Sequence, residues 1–471
     1  MFPSELSEKP VWKFFKELCR IPRTSGDEGA VSRYLIDFAA SRGLEYLSDD
    51  QMNVLIRKPG RGEAVALQAH MDMVGEKVSG SSHDFSTDPV DARLEGDLLV
   101  ARETTLGADN GIGVALMLEL LDGDYEGVTP LECLFTVDEE RGLVGALGFP
   151  PEWITAERLI NLDSEDFGVI TIGCAGGKDA KVKLPLSYLD NHLSAVEVTV
   201  GGLNGGHSGM EIAAGNANAI KLAARVCREI EDTLDGRLVS FSGGTKHNAI
   251  PREAKAVLAV EDTSQAEALC SRLEKNFAAE YDGIEKSVSV RCVKCDSSTV
   301  MSPESSSSLI DLLLTLPHGV EKMSGVVEGL VETSCNLAIV ITDREKAEIL
   351  LSVRSALQSA KDAVVQAAAA AGRLAGAEVT SGNGYPGWTP DRNSRLLKAA
   401  SEAVRRILGR EPVIEAIHAG LECGIIGERV GNLDMISIGP DISNVHIPGE
   451  NVSVSSTDSF LLFLVELLRG L

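Results

Sequence analysis

Residues 135–146 read FTVDEERGLVGA, and the order of residue types within them decides how the rest of the chain is read. The apolar run that leads in, 131–137 (LECLFTV), has the length and composition of a buried strand. It ends on three consecutive carboxylates, Asp138, Glu139 and Glu140, with Arg141 beside them. Negative charge collected at the end of a core strand is unfavourable unless something positive answers it, and one arginine is too little for three acids.

Other strand-like runs end in the same manner. NVLIRK, AVALQAH and RLINLD are short and apolar, and a helix over 111–121 (GIGVALMLELL), stopped by Gly123, separates two of the runs. Amphipathic segments at 11–19 and 28–40 read as earlier helices. This alternation predicts an α/β domain, a sheet flanked by helices. Polar residues gather at the strand ends: His70 and Asp72 in QAHMD, Asp109 in the turn TLGADNGIG, Asp138 to Glu140, Asp163 closing RLINLD, and His446 in SNVHIPGEN after the strand LDMISIG. In an open α/β sheet the carboxyl ends of strands border the ligand crevice, so these motifs can converge. Singly, each has a plainer role. Asp109 is a natural N-cap, the glutamates a solvated turn, His70 a core histidine, His446 a loop residue and Asp163 a turn former. Five such positions together, in a chain with only eight histidines, point instead to a nitrogen and oxygen metal site suited to zinc, cobalt or manganese.

The bulk properties agree. In 471 residues, 70 acidic against 44 basic side chains leave a net charge of −26, which disfavours nucleic acid and anionic membrane and leaves small molecules and cations as partners. Glu5, Glu8 and Lys9 interrupt any signal-peptide core, and no apolar run reaches the ~18 residues of a membrane span, so a cytoplasmic location is expected. Nine scattered cysteines, an odd number, read as reduced thiols, the lone CxxC at Cys292 and Cys295 included.

Beyond residue 186 the style changes to polar-faced strands and amphipathic helices, in an order that occurs twice. The first copy runs AVEVTVGG, helix 217–230, LVSFSGG, AKAVLAV, helix 265–280, SVSVRCV. The second, weaker at its start, runs helix 307–316, SCNLAIVIT, AEILLSVRS, helix 361–374, AEVTS. Both read as β-α-β-β-α-β units. Helix 394–407 and LDMISIG then restore the first style. The expected organisation is a catalytic domain in two parts, 1–186 and 385–471, interrupted by a duplicated α+β lid at 187–384.

HMD, TTLGADNGIG, DEERGLVGA, NLDSE, GGHSG and SNVHIPGE together resemble the dinuclear zinc superfamily of aminoacylases, carboxypeptidases, carnosinases and bacterial dipeptidases. HDFSTDPV, GTKHNAIPRE, HAGLECGI and NVHIPGENVS are similar, more narrowly, to its aminoacyl-histidine dipeptidase branch. The resemblance implies two Zn2+ per chain, with Co2+ or Mn2+ as substitutes. Asp109 would bridge the ions, His70 and Asp163 completing one site, Glu140 and His446 the other. It also implies a cis Asp109–Asn110 peptide, Asp72 fixing the His70 ring, and Glu139 as the base serving a zinc-bridged hydroxide. His207, in GGLNGGHSG, would donate to the oxyanion; Arg354, Asn248 and His418 would bind substrate. The activity implied is hydrolysis of dipeptides with free termini, Xaa-His (carnosine-like) types included, by a chain sufficient as a monomer even where it pairs into a homodimer. An N-acyl amino acid deacylase or a tripeptidase would use the same scaffold. A metal-dependent binding protein without turnover is the alternative of another class, and it has no use for Glu139. GADNGIG lacks the Lys-Ser/Thr ending of a phosphate-binding loop.

Overall fold

A computed structural model describes residues 2–382 and 384–471. The chain forms two compact units: one takes the residues up to Cys174 with Trp388–Ala416 and Leu421–Leu471, the other Ala175–Gly387 with Ile417–Gly420.

The first unit is built on an eight-stranded sheet. Its centre is four parallel strands in the spatial order Leu131–Thr136, Val65–His70, Arg158–Asn161, Asp434–Ser437. Being parallel, they present their carboxyl ends at one edge. The first two are buried at every position, as expected of strands covered on both faces. Helix Ala108–Asp122 packs against Val65–His70 and is buried almost all round, through Ile112, Val114, Leu116, Met117, Leu118 and Leu120. Each such side chain contributes about 1.5–3 kcal/mol on burial, so the helix is firmly seated beyond the kink at Asp109 and Asn110, whose backbone angles are not helical.

The second unit is the α+β lid, and its nine-stranded sheet explains the weak start of the second repeat. The first copy forms one half of the sheet, in the order Ser289–Cys295, Ser194–Gly201, Ala254–Val260, Arg237–Gly243. The other half is ordered Val331–Thr342, Lys346–Ser355, Gly176–Pro185, Glu378–Ser381. The first strand of the second copy is therefore Gly176–Pro185, upstream of the whole first copy, which is nested inside the second. That strand pairs with Lys346–Ser355 along its full length, from Gly176↔Ser355 to Pro185↔Lys346. Pairing places it in the lid unit, which accordingly begins at Ala175 rather than 187 and runs on to Gly387. The halves join through Ser242↔Ile341 and Gly243↔Val340. Side-chain caps from Asn218 and Asp262 start the two helices of the first copy, Ala219–Leu234 and Thr263–Glu280. All nine cysteines are free thiols, with Cys292 and Cys295 on the edge strand Ser289–Cys295.

Candidate metal centre

At the carboxyl edge of the parallel strands the expected ligands come together. His70 closes its strand with a side chain only 1% exposed; its Nε2 lies 3.0 Å from Asp109 Oδ1 and 3.3 Å from Asp163 Oδ1. The other oxygen of Asp109, Oδ2, lies 3.0 Å from His446 Nε2, itself 2.9 Å from Glu140 Oε1. Asp109 thus faces two triads at once, His70–Asp109–Asp163 and Asp109–Glu140–His446, and within each triad the ligand atoms lie within 4.8 Å of one another. His70, Glu139 and Glu140 meet the same limit, which sets Glu139 beside the pair. Imidazole nitrogen with carboxylate oxygen is the donor set of zinc and its neighbours, and three protein ligands per ion leave a coordination position open for water or substrate. The residues fit two such ions.

The loops carrying these ligands are held by buried polar contacts. Asp72 accepts hydrogen bonds from the Ser25 hydroxyl at 2.8 Å and from the N–H groups of Glu139 and Glu140 at 3.1 and 3.4 Å. Its Oδ1 also lies 3.2 Å from His70 Nδ1, close enough for an ion pair though off the line of a hydrogen bond. Burial works against its charge, but the contacts with His70, Ser25 and Glu139 prevail and hold Asp72 at about 2. The acidic run of the opening stretch divides its work. Asp138, in the left-handed region at φ +52°, turns to a two-pronged pair with Arg141 at 2.6 and 2.9 Å, leaving Glu139 and Glu140 for the metal edge.

The N-cap position of the helix falls on Gly107, and both side-chain oxygens of Asp109 face histidine rings instead of helix N–H groups. The Asp109–Asn110 peptide is cis, and Asn110 Nδ2 donates to Asp163 Oδ1 at 2.5 Å. Three residues that sequence reasoning missed frame this turn and the strand beside it. Glu450, 2% exposed, accepts from the N–H groups of Leu106, Gly107, Ala108 and Asp109 at 2.7–3.2 Å. Buried Arg23 donates to the carbonyls of Met71, Asp72 and Gly107 at 3.1, 3.0 and 2.5 Å. A Cβ on Gly107 would meet the Arg23 guanidinium at 2.5 Å, and the φ of +69° there also calls for glycine. Glu422, with no solvent exposure, accepts from Gln68 and Thr136. Glu450 and Glu422 lie inside the quoted motifs NVHIPGENVS and HAGLECGI, but a motif does not say which backbone a glutamate will hold.

So many acids packed together perturb one another. Burial drives Glu139 well above the usual carboxylate range; His70 pulls it down, and repulsion from Asp163, Glu422 and Glu140 opposes that pull. Burial likewise lifts Asp163 to about 6 against the attraction of His70, with Asp109 and Glu140 adding repulsion. His446 is raised to about 11 by its contacts with Asp109 and Glu140. Divalent cations would answer this charge directly. Metal-stripped protein should therefore melt at a lower temperature, and zinc at about 100 times its Kd should return about 2.7 kcal/mol of stability for each ion bound. Calorimetry over a zinc titration checks this; a melting curve indifferent to zinc would rule the clusters out as metal sites.

The remaining expected residues lie in the lid unit. His207, Arg354 and His418 gather around Gly209, where an added Cβ would lie 2.3 Å from the His418 carbonyl oxygen, 3.2 Å from His207 Cε1 and 3.3 Å from Arg354 Nε. Arg354, 7% exposed, reaches the Tyr385 hydroxyl at 3.3 Å through one terminal nitrogen, and its Nε has no hydrogen-bond partner. Burial, then the nearby Arg354 charge, lowers His207, and the same two causes bring His418 to about 4, so both rings are neutral near pH 7. His418 Nε2 lies 2.7 Å from the Ser334 hydroxyl. Asn248 accepts, through its backbone carbonyl at 2.9 Å, the N–H of Ser208, the residue that follows His207.

A carboxylate whose two oxygens serve separate clusters is how two metal ions are brought to bear on one hydrolysable bond, and with the fold it defines a metal-dependent peptidase. The chain belongs to peptidase family M20/M25/M40, whose model matches residues 66–470. It is 39% identical to the cytosol non-specific dipeptidase of Escherichia coli (strain K12), over 99% of this chain and 98% of that one. The crystal structure of aminoacylhistidine dipeptidase from Vibrio alginolyticus superposes with a TM-score of 0.92 at 36% identity, covering 99% of this chain and 98% of that one. An aminopeptidase from Bacillus cereus ATCC 10987 shares the fold, with a TM-score of 0.59 at 17% identity over 98% of this chain and 97% of the other. Among the described residues no helix is long and apolar enough to cross a membrane.

Proposed function

We propose that this peptidase is a cytoplasmic dipeptidase acting on peptides with free termini, Xaa-His types included. The observation that carries the reading is Arg354, a nearly buried guanidinium with an unpartnered Nε. Such a group suits a free C-terminal carboxylate, which it can grip with two prongs. The names of the two most similar relatives reported above support the dipeptide and Xaa-His assignments.

In the proposed reaction His70, Asp109 and Asp163 would hold one ion and Asp109, Glu140 and His446 the other, with Asp72 fixing the His70 ring. Ions bound there would supply Lewis acidity toward the attacking water and the peptide carbonyl. Glu139 accepts the water's proton and returns it to the departing amine, a double duty served by a carboxyl whose pKa burial has raised. His207 donates to the developing oxyanion. Arg354 binds the substrate carboxylate, with Asn248 and His418 as further substrate contacts. One chain carries both lid copies, so we read it as sufficient for catalysis. Mixing His207→Ala and Glu139→Ala chains, each inactive, should restore nothing, and recovered activity would show a site shared between chains.

The reading is tested by hydrolysis of a dipeptide panel with chelator and zinc add-back, alongside N-acetylated dipeptides and tripeptides. Preferred cleavage of the N-acetylated compounds would make the chain a deacylase, and preferred cleavage of tripeptides a tripeptidase. Arg354→Lys should weaken cleavage of free dipeptides by at least about tenfold, the loss of one charge-assisted bond of ~1.5–3 kcal/mol, while leaving C-terminally amidated ones little changed. Equal losses on both would assign Arg354 a structural task.

A further inference from the structure

Beneath the metal ligands, one residue pair further down the strands, runs a continuous row of buried polar side chains. Gln68 precedes His70 by two positions on its strand, Thr136 precedes Asp138, and Asn161 precedes Asp163. With a strand period of two, each lies on the same face as the residue it precedes wherever the strand continues. Gln68, Thr136, Asn161 and Ser437 have no solvent exposure. They are linked across the sheet: Asn161 Nδ2 donates to Gln68 Oε1 at 2.7 Å, Ser437 Oγ to Asn161 Oδ1 at 2.5 Å, and Ser437 Oγ lies 3.0 Å from Ser164 Oγ. The register agrees on three strands, pairing Gln68↔Asn161 and Asn161↔Ser437; Thr136 stands one step higher on the fourth, opposite His70, and Gln68 Nε2 reaches its hydroxyl at 3.1 Å. The row therefore crosses all four central parallel strands.

It ends on Glu422, at the start of helix Glu422–Val430. Glu422 Oε2 accepts from Gln68 Nε2 at 2.5 Å and from Thr136 Oγ1 at 2.8 Å, while Oε1 is buried with no partner. A fully buried carboxyl with an orphaned oxygen is costly, and apolar side chains of similar volume would make a cheaper floor for the sheet. Two acceptor bonds from two strands nevertheless fix the rotamers of Gln68 and Thr136, and through them the ends of the strands that carry His70 and the Asp138–Glu140 run.

We infer that Glu422 is a positioning residue for the two-metal site, acting through Gln68 and Thr136 to set the spacing of His70 and the acidic loop. This rests on the metal-dependent peptidase reading and concerns metal binding, so it can fail while the dipeptidase assignment stands. Glu422→Ala should weaken zinc affinity by about 10–100-fold, the usual cost of losing an outer support of a metal ligand, and alter the visible spectrum of the cobalt-loaded protein. Glu422→Gln retains an accepting oxygen in place and should restore affinity to within a few fold. Thr136→Val, equal in shape but without the hydroxyl, should lose affinity by a smaller factor and provides the answer if Glu422→Ala does not fold. Zinc affinity is read by competition with a chromophoric chelator, and folding by the melting temperature of the metal-free proteins. Metal-free melting lowered with zinc affinity and cobalt spectrum unchanged would reduce Glu422 to a core residue and overturn the inference. So would a Thr136→Val protein that binds zinc as the parent does.

Discussion

Glu139→Gln should keep two zinc ions per chain and lose its rate. The substitution leaves a neutral amide of equal size beside the clusters, so no ligand of either triad is removed. What goes is the group proposed to take and return a proton, and kcat should fall by the ~10²–10⁴ typical of general acid–base catalysis, or more because one residue would serve twice. Glu140→Gln, one position away, should give the opposite pattern. Glu140 Oε1 lies 2.9 Å from His446 Nε2 in the Asp109–Glu140–His446 triad, so a neutral amide there should weaken one ion while His70, Asp109 and Asp163 retain the other. Its zinc content should drop toward one, and excess zinc should recover part of the rate. Zinc counting on both purified variants separates the roles: metal loss in Glu139→Gln with full retention in Glu140→Gln would reverse them.

That two neighbouring glutamates can be told apart follows from the local backbone more than from their type. Asp138 adopts φ +52° and turns its carboxylate to Arg141, while the N–H groups of Glu139 and Glu140 both point at Asp72. The sequence made it legible that acids end this strand and that histidines and acids end its neighbours, because period two and the parallel α/β pattern act locally. It also made the lid repeat legible, since each copy carries its own helix and strand periodicities. What it left hidden depends on distant pairing. Gly176–Pro185 reads as a tail of the first domain until its partner Lys346–Ser355 is known. Glu450 is separated by more than three hundred residues from the N–H groups it holds, and Glu422 by a similar distance from Gln68. Arg23 is an ordinary charged residue in a chain of 44 basic ones until three backbone carbonyls close around it. The lid residues His207, Arg354 and His418 had resemblance as their only signal, because nothing in their spacing marks them as neighbours.

Replacing Asp109 by alanine should have the largest effect of all, because it is the one residue both triads share. Its Oδ1 serves the His70 side and its Oδ2 the His446 side, so a single truncation removes a ligand from each ion and leaves two protein ligands where there were three. Asp163→Ala or His446→Ala removes a ligand from one ion only. Zinc content should therefore order as parent at two, Asp163→Ala and His446→Ala near one, and Asp109→Ala near zero at the same free zinc. Lewis-acid assistance is worth several kcal/mol of transition-state stabilisation, and about 1.4 kcal/mol is a factor of ten in rate, so loss of both ions predicts a fall in kcat/KM of at least about 10⁴. Because the helix that follows Asp109 is seated by apolar burial, and Glu450 holds the backbone from Leu106 to Asp109, the fold should survive the change. Circular dichroism on the metal-free parent and variant tests that directly. An Asp109→Ala protein that folds and still carries two zinc ions would show that the two triads do not share a ligand, and the two-metal arrangement proposed for the site would fall with it.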